Sequence, residues 1–126
     1  MCAMDRKYDL EERLIKFAIR MMELSEILDN TRSGNHIAGQ LVRCGTSPAF
    51  NYGEAQAAES KKDFIHKMGI VLKELRESGI CLKIILRKPL TNPSEKIIPD
   101  LNECNELIAI FSKSVRTAKT HLNENK

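Results

Sequence analysis

The 126-residue chain is 42% hydrophobic and 29% charged, the balance of a folded domain long enough to bury a core without disulfides or a structural metal. Aromatic residues are 5% with no Trp, and six Gly plus four Pro are too few for a turn-rich β sandwich or barrel. The net charge of +3 is small but uneven: residues 1–30 carry 5 basic and 7 acidic groups, residues 61–90 carry 8 and 3.

The first predicted element is a helix near residues 9–29. Leu10, Leu14, Phe17, Met21, Leu24 and Leu28 alternate spacings of three and four, which keeps one helix face against a neighbour. Asp9 with Glu12 reads as its capping box. The stretch Asn30-Thr31-Arg32-Ser33-Gly34 is a turn followed by a cap. A second helix, near 33–59, carries Ile37, Leu41, Cys44, Pro48, Asn51, Ala55 and Ala58 on its seam. Pro48 removes one backbone bond and clashes with the Cys44 carbonyl, which predicts a bend over Cys44–Asn51. Asn51, one turn on, is placed to satisfy a carbonyl released there.

A third helix, near 60–88, aligns Phe64, Met68, Val71, Leu75, Ser78, Leu82 and Ile85, with Ser78 its one small polar exception. Without a break, one helix would run 54 residues from Gly34 to Arg87, or ~81 Å. Ser60 with Asp63 resembles a capping box, so the break is placed at Glu59–Ser60. Lys88-Pro89 stops the third helix, and Thr91 to Pro99 is the longest loop. Ser94 or Asp100 then opens a fourth helix near 98–121, with Leu101, Cys104, Ile108, Phe111, Val115, Ala118 and Leu122 on its seam. Short connections make neighbours antiparallel. The expectation is a single all-α domain over residues 1–126, an up-down-up-down four-helix bundle with a kinked second helix.

Chemistry is sparse. A di-iron bundle needs two Glu-x-x-His pairs, and only Asp63-x-x-His66 resembles one, so neither a metal nor a cofactor is expected. No Cys-x-x-Cys or His-x-x-x-His spacing suggests structural zinc. Gly34-Asn35-His36-Ile37-Ala38-Gly39 lacks the Lys-Ser/Thr of a phosphate loop. Cys44 lies on a seam and reads as a core residue, and Glu54 and Glu59 as capping or pairing groups, so no catalytic residue is assigned. Cys2, Cys44, Cys81 and Cys104 are far apart and read as reduced thiols of a cytoplasmic protein. The longest apolar run, Leu107–Phe111, is far short of the ~18 residues of a membrane span, and the N-terminus has no pattern of an export signal.

The positive signal lies on the third helix. Opposite its core face run Lys62, His66, Gly69, Lys73, Arg76, Ile80, Lys83 and Arg87, a row without an acid that extends ~37 Å. Such a row can follow a phosphate backbone by charge without reading sequence. It is equally consistent with a solvated face, or with pairing to Glu11, Glu12, Glu23 or Glu26 of the acidic first segment. Ile70, Ile80 and Ile84 lie on the same outer side, where branched apolar residues point to a subunit contact.

Three stretches carry a resemblance: His36-Ile37-Ala38-Gly39-Gln40-Leu41-Val42-Arg43-Cys44-Gly45-Thr46-Ser47, then Asn51-Tyr52-Gly53-Glu54-Ala55, then Asp63-Phe64-Ile65-His66-Lys67-Met68. Over about residues 9–120 the chain resembles the four helix bundle protein family, the large-subunit ribosomal RNA intervening-sequence proteins. The family pattern of Arg, Thr-Ser, Asn-x-x-Glu-Ala and a Ser/Asp/Phe start falls on Arg43, Thr46, Ser47, Asn51, Glu54, Ser60, Asp63 and Phe64. Pro48-Ala49-Phe50 departs from it, where small or aliphatic residues are commoner. Arg43, Ser47, Asn51 and Glu54 of that pattern read as architectural, as does Pro48 by its place inside the second helix. That family is similar in fold to the accessory protein of diversity-generating retroelements, a basic pentameric barrel that binds nucleic acid and a reverse transcriptase. The resemblance therefore implies a bacterial, non-catalytic homo-oligomer, a pentamer first, with RNA or DNA as partner. The alternative is a scaffold or accessory subunit that docks a partner enzyme, such as a reverse transcriptase, and binds no nucleic acid itself.

Overall fold

Each apolar seam can leave water only against another seam, and the computed structural model shows how four of them do so. It describes the backbone of residues 3–124 and the side chains of residues 9–123. Four helices form: α1 (Ala3–Ile27), α2 (Arg32–Gln56), α3 (Lys61–Arg87) and α4 (Ile98–Glu124). A 3-10 turn over Ser94–Ile97 leads into α4. No strand occurs among the described residues, and no described helix is long and apolar enough to cross a membrane.

Around the bundle, α1 packs on α2, α2 on α3 and α3 on α4, while α1 and α4 close the ring more openly. The backbones of α1 and α3 make no approach to one another, which places them on a diagonal. Ion pairs give the directions. Arg13 meets Glu103 while Arg20, farther along α1, meets Asp100, earlier in α4. Likewise Arg43 meets Glu74 and Glu77 while Glu54 meets Lys67. Residue numbers rise along one helix and fall along the other, so both pairs of helices are antiparallel.

Most of the predicted seam positions lie in the core. Ile37, Phe64, Leu101 and Ile108 are only partly buried, while Tyr52, Cys81, Ile97 and Leu107, which lie on no predicted seam, are buried. Leu14, Met21, Leu41, Leu75, Leu82, Ile85 and Phe111 are completely buried, each contributing roughly 1.5–3 kcal/mol through removal from water. Tyr52 of α2 meets Phe111 of α4 edge-on across the middle, ring centroids 5.6 Å apart. Ser78, the polar exception, is buried and its hydroxyl donates to the Glu74 carbonyl at 2.9 Å. Buried Cys104 donates its thiol to the Leu75 carbonyl of α3 at 3.2 Å.

Several local expectations change. The first helix is already under way at Ala3 and ends at Ile27, so Asp9 and Glu12 lie inside it and form no capping box. Thr31, inside the predicted Asn30–Gly34 turn, is the cap of α2, its hydroxyl accepting from the Gly34 N–H at 3.0 Å. The second helix runs through Pro48 as expected and ends at Gln56, three residues short of the expected end. Asn51 donates to the carbonyl and hydroxyl of Ser47 at 3.0 and 2.9 Å, so the group it satisfies is not the Cys44 carbonyl. Ser60 does cap α3, accepting from Asp63 N–H at 3.0 Å, and Lys88 closes that helix before Pro89. Neither Ser94 nor Asp100 opens α4. Ser94 begins the 3-10 turn, α4 starts at Ile98, and Asp100 sits in its first turn, held by Arg20.

The open α1–α4 side is bridged by two arginine forks. Arg13 binds Glu103 through Nε at 3.1 Å and Nη2 at 2.7 Å. Arg20 binds Asp100 through Nε at 3.0 Å and Nη2 at 2.9 Å. Two parallel charge-assisted bonds fix direction as well as contact, which a wide seam with few meeting apolar atoms needs. At the other seam, the Asp29 N–H donates to the Leu90 carbonyl at 2.8 Å, tying the α1–α2 turn to the end of α3.

Candidate nucleic-acid interface

The predicted row runs along the outside of α3, and Lys62, His66, Lys73, Arg76, Lys83 and Arg87 are all exposed. They face out because the opposite side, from Met68 to Ile85, is the most continuously buried seam of the molecule. Arg76 donates to the Ser112 hydroxyl of α4 at 3.3 Å. Among the described residues none of the five Lys and Arg of the row is in an ion pair. The acids of α1 do not reach them, since α1 and α3 are diagonal. The pairing of the row with Glu11, Glu12, Glu23 or Glu26 across one bundle is therefore ruled out by the packing.

One carboxylate lies close. Glu77 borders a shallow depression of about 420 Å³ with Lys73, Arg76 and Ile80. It is occupied by Arg43, whose Nη2 donates to it at 2.7 Å, and that bond holds its carboxyl below the usual range. Arg43 also reaches Glu74, which is 7% exposed, at 3.2 Å. Burial first, and then the neighbouring Glu77, push the Glu74 carboxyl up. Arg43 therefore holds two close carboxylates together across the α2–α3 seam.

The C-terminal end of α3 gathers cations that the helical row does not contain. Antiparallel packing brings the first turns of α2 beside it, so Arg32 and His36 line a depression of about 490 Å³ with Ile84 and Lys88. A second depression, of about 360 Å³, adjoins it through Ile84 and Lys88 and adds Ile80, Lys83 and Arg87. Sequence periodicity misses Arg32 and Lys88 because it sees one helix at a time. The Asn30-Thr31 turn before α2 and the Lys88-Pro89 stop after α3 were the available signal that these ends meet.

The outer apolar set divides. Ile80 and Ile84 are exposed, 56% and 39%, among the cations, whereas Ile70 is half-buried. A second exposed apolar line is on α1, where Ile15, Ile19 and Met22 follow one another at spacings of four and three. Of the motif residues, Arg43 and Glu54 are held in ion pairs between α2 and α3, Asn51 bonds Ser47, and Pro48 is buried. Each is engaged inside the bundle.

The cysteines among the described residues lie in the interior. Cys44 and Cys81 have their sulfurs 4.0 Å apart across α2 and α3, and Cys104 is also buried with a free thiol. The Cys81 thiol, the Ser78 hydroxyl and the Arg43 charge bring Cys44 down to about 7, while Cys44 and burial push Cys81 up. Cys2 lies outside the described residues. No group of three or more His, Cys, Asp or Glu able to hold a metal ion occurs among the described residues.

Comparison with known proteins adds two findings. The family model described as 23S rRNA-intervening sequence protein matches residues 6–113. Among solved structures, the chain is similar to the crystal structure of a protein of unknown function from the S23 ribosomal protein family of Bacteroides thetaiotaomicron. The identity is 27% over 87% of this chain and 97% of that one, with a TM-score of 0.78. No curated protein matches.

Proposed function

This chain belongs to the 23S rRNA-intervening sequence protein family, and on that premise we propose that it is a non-catalytic, oligomeric nucleic-acid-binding bundle. RNA or DNA lies along the outer face of α3, with Lys62, His66, Lys73, Arg76, Lys83 and Arg87 toward phosphates. The observation that carries this reading is that the row is exposed and that, among the described residues, none of its Lys and Arg is in an ion pair. A bundle that used these cations for its own stability would set acids against them, as it does for Arg13, Arg20 and Arg43. Contacts to phosphate position a backbone without reading bases, so the binding is independent of sequence.

Association between copies multiplies a weak contact. Several rows held in one ring raise the effective concentration of every further contact, and a homo-pentamer follows the assembly that the family resemblance implies. We assign the contact between copies to Ile15, Ile19 and Met22 of α1. Ile80 and Ile84 sit among cations that a seated subunit would have to strip of water, whereas the α1 line leaves α3 free for its ligand. The second reading, a scaffold for a partner enzyme, draws on the same exposed apolar residues and needs no polyanion.

A salt titration of binding to mixed-sequence RNA and DNA separates the two. The nucleic-acid reading expects the logarithm of affinity to fall linearly with the logarithm of salt. Lys73→Ala with Arg76→Ala should weaken unrelated sequences about equally and flatten that slope by roughly two per subunit engaged. The melting temperature should move by no more than about 2 °C, since exposed cations add little to folding. A slope near zero, or no binding at low salt, would leave the scaffold.

A further inference from the structure

Resting on the reading that α3 binds nucleic acid, we propose that its C-terminal end is a site for unpaired nucleotides, with bases on Ile80 and Ile84 and phosphates at the cationic rim. The two ends of α3 differ in chemistry. Along α3 itself no large apolar side chain before Ile80 is exposed, so the first half of that helix contributes charge to its outer face. From Ile80 onward the cations surround an apolar floor. The two adjoining depressions share Ile84, and Leu90 lies buried beneath the larger one. Arg32 borders the larger depression, Lys83 and Arg87 the smaller and Lys88 both, with no carboxylate lining either. Among the described residues none of these four cations is in an ion pair.

A duplex presents sugar and phosphate to such a surface and keeps its base faces stacked inside, so the isoleucines would gain nothing from it. An unpaired strand exposes base faces that cover apolar side chains whatever their sequence, while its phosphates reach the flanking cations. The larger depression, about 490 Å³, falls within the roughly 300–1,000 Å³ of a small-ligand site. The charge of the rim and the hydrophobicity of the floor are both needed to explain why two branched apolar residues stay uncovered amid four cations.

The test compares three DNA ligands of equal phosphate count by fluorescence anisotropy with the full-length protein: a mixed-sequence single strand, a blunt duplex, and a single strand of abasic sites. The base-bearing single strand should bind at least about fivefold more tightly than the abasic one, through apolar isoleucine surface buried under the bases. Ile80→Ser with Ile84→Ser should abolish that margin while leaving duplex affinity and oligomer size unchanged. Equal affinity for the base-bearing and abasic strands would overturn the proposal while leaving the charge-based reading of α3 intact. A smaller assembly in the double variant would also overturn it, by assigning those residues to a contact between copies. Absence of binding to all three ligands would remove the reading on which the proposal rests.

Discussion

The sulfur of Cys104 illustrates what burial does to a single group. It lies fully inside the bundle, and burial first, then the neighbouring Cys44, push its thiol up from 9.0 to about 12. The unfolded chain thus releases this proton at a lower pH than the folded chain does. The corresponding stability is complete below about pH 9 and lost as pH rises towards 12. Between about pH 7.5 and 10.5 this one group should cost up to about 2 kcal/mol of folding free energy. Urea unfolding at the two pH values checks it. Cys104→Ala should begin less stable, through the lost thiol contact with Leu75, yet show a smaller alkaline decline than the parent chain.

At the level of whole elements, the α1–α2 contact depends on a glycine. A Cβ built on Gly45 would stand 2.5 Å from both Cβ and Cγ of Met21, too near the α1 backbone for a rotamer change to relieve it. Gly45→Ala should therefore push the two helices apart and cost roughly 1–3 kcal/mol. Gly53, in the same helix, has open space where its Cβ would be. Gly53→Ala should stabilise by about 0.5–1 kcal/mol through helix propensity and the entropy of the unfolded chain. Parallel thermal or urea unfolding of the two variants reads the contrast. Similar losses from both would mean that general helix strain, not the contact with Met21, decides the position.

For the whole molecule, the diagonal arrangement matters most. The basic helix α3 and the first helix, whose segment 1–30 carries two more acidic than basic groups, face away from each other across the bundle. The exposed line of Ile15, Ile19 and Met22 lies on α1, the helix diagonal to α3. Ile15→Asp with Ile19→Asp should reduce the assembly to a single protomer at about 10 µM, as read by light scattering, without loss of helix content. An unchanged size would place the contact between copies elsewhere. Binding of nucleic acid by the same variant should weaken through lost multivalency and keep whatever slope one α3 row supports.

The sequence by itself determined four helices, their buried faces and the exposed row on α3. Helical periodicity is a local property, and every residue from Leu10 to Val115 that fits a seam does so without knowledge of its neighbours. The caps at Thr31 and Ser60 are equally local, since a hydroxyl reaches only the next turn. The false start at Asp9–Glu12 shows the limit of that signal, because a capping pattern inside a helix looks the same as one at its end. Only the tertiary structure decided which helices adjoin and in what register. Those two facts set Arg43 between Glu74 and Glu77, Arg20 on Asp100, and Arg32 beside Lys88. Each of these groupings joins residues from different elements, and their separation depends on how far one seam slides along another. That sliding is fixed by the packed volume of side chains such as Met21 against Gly45, which no single segment of the chain contains.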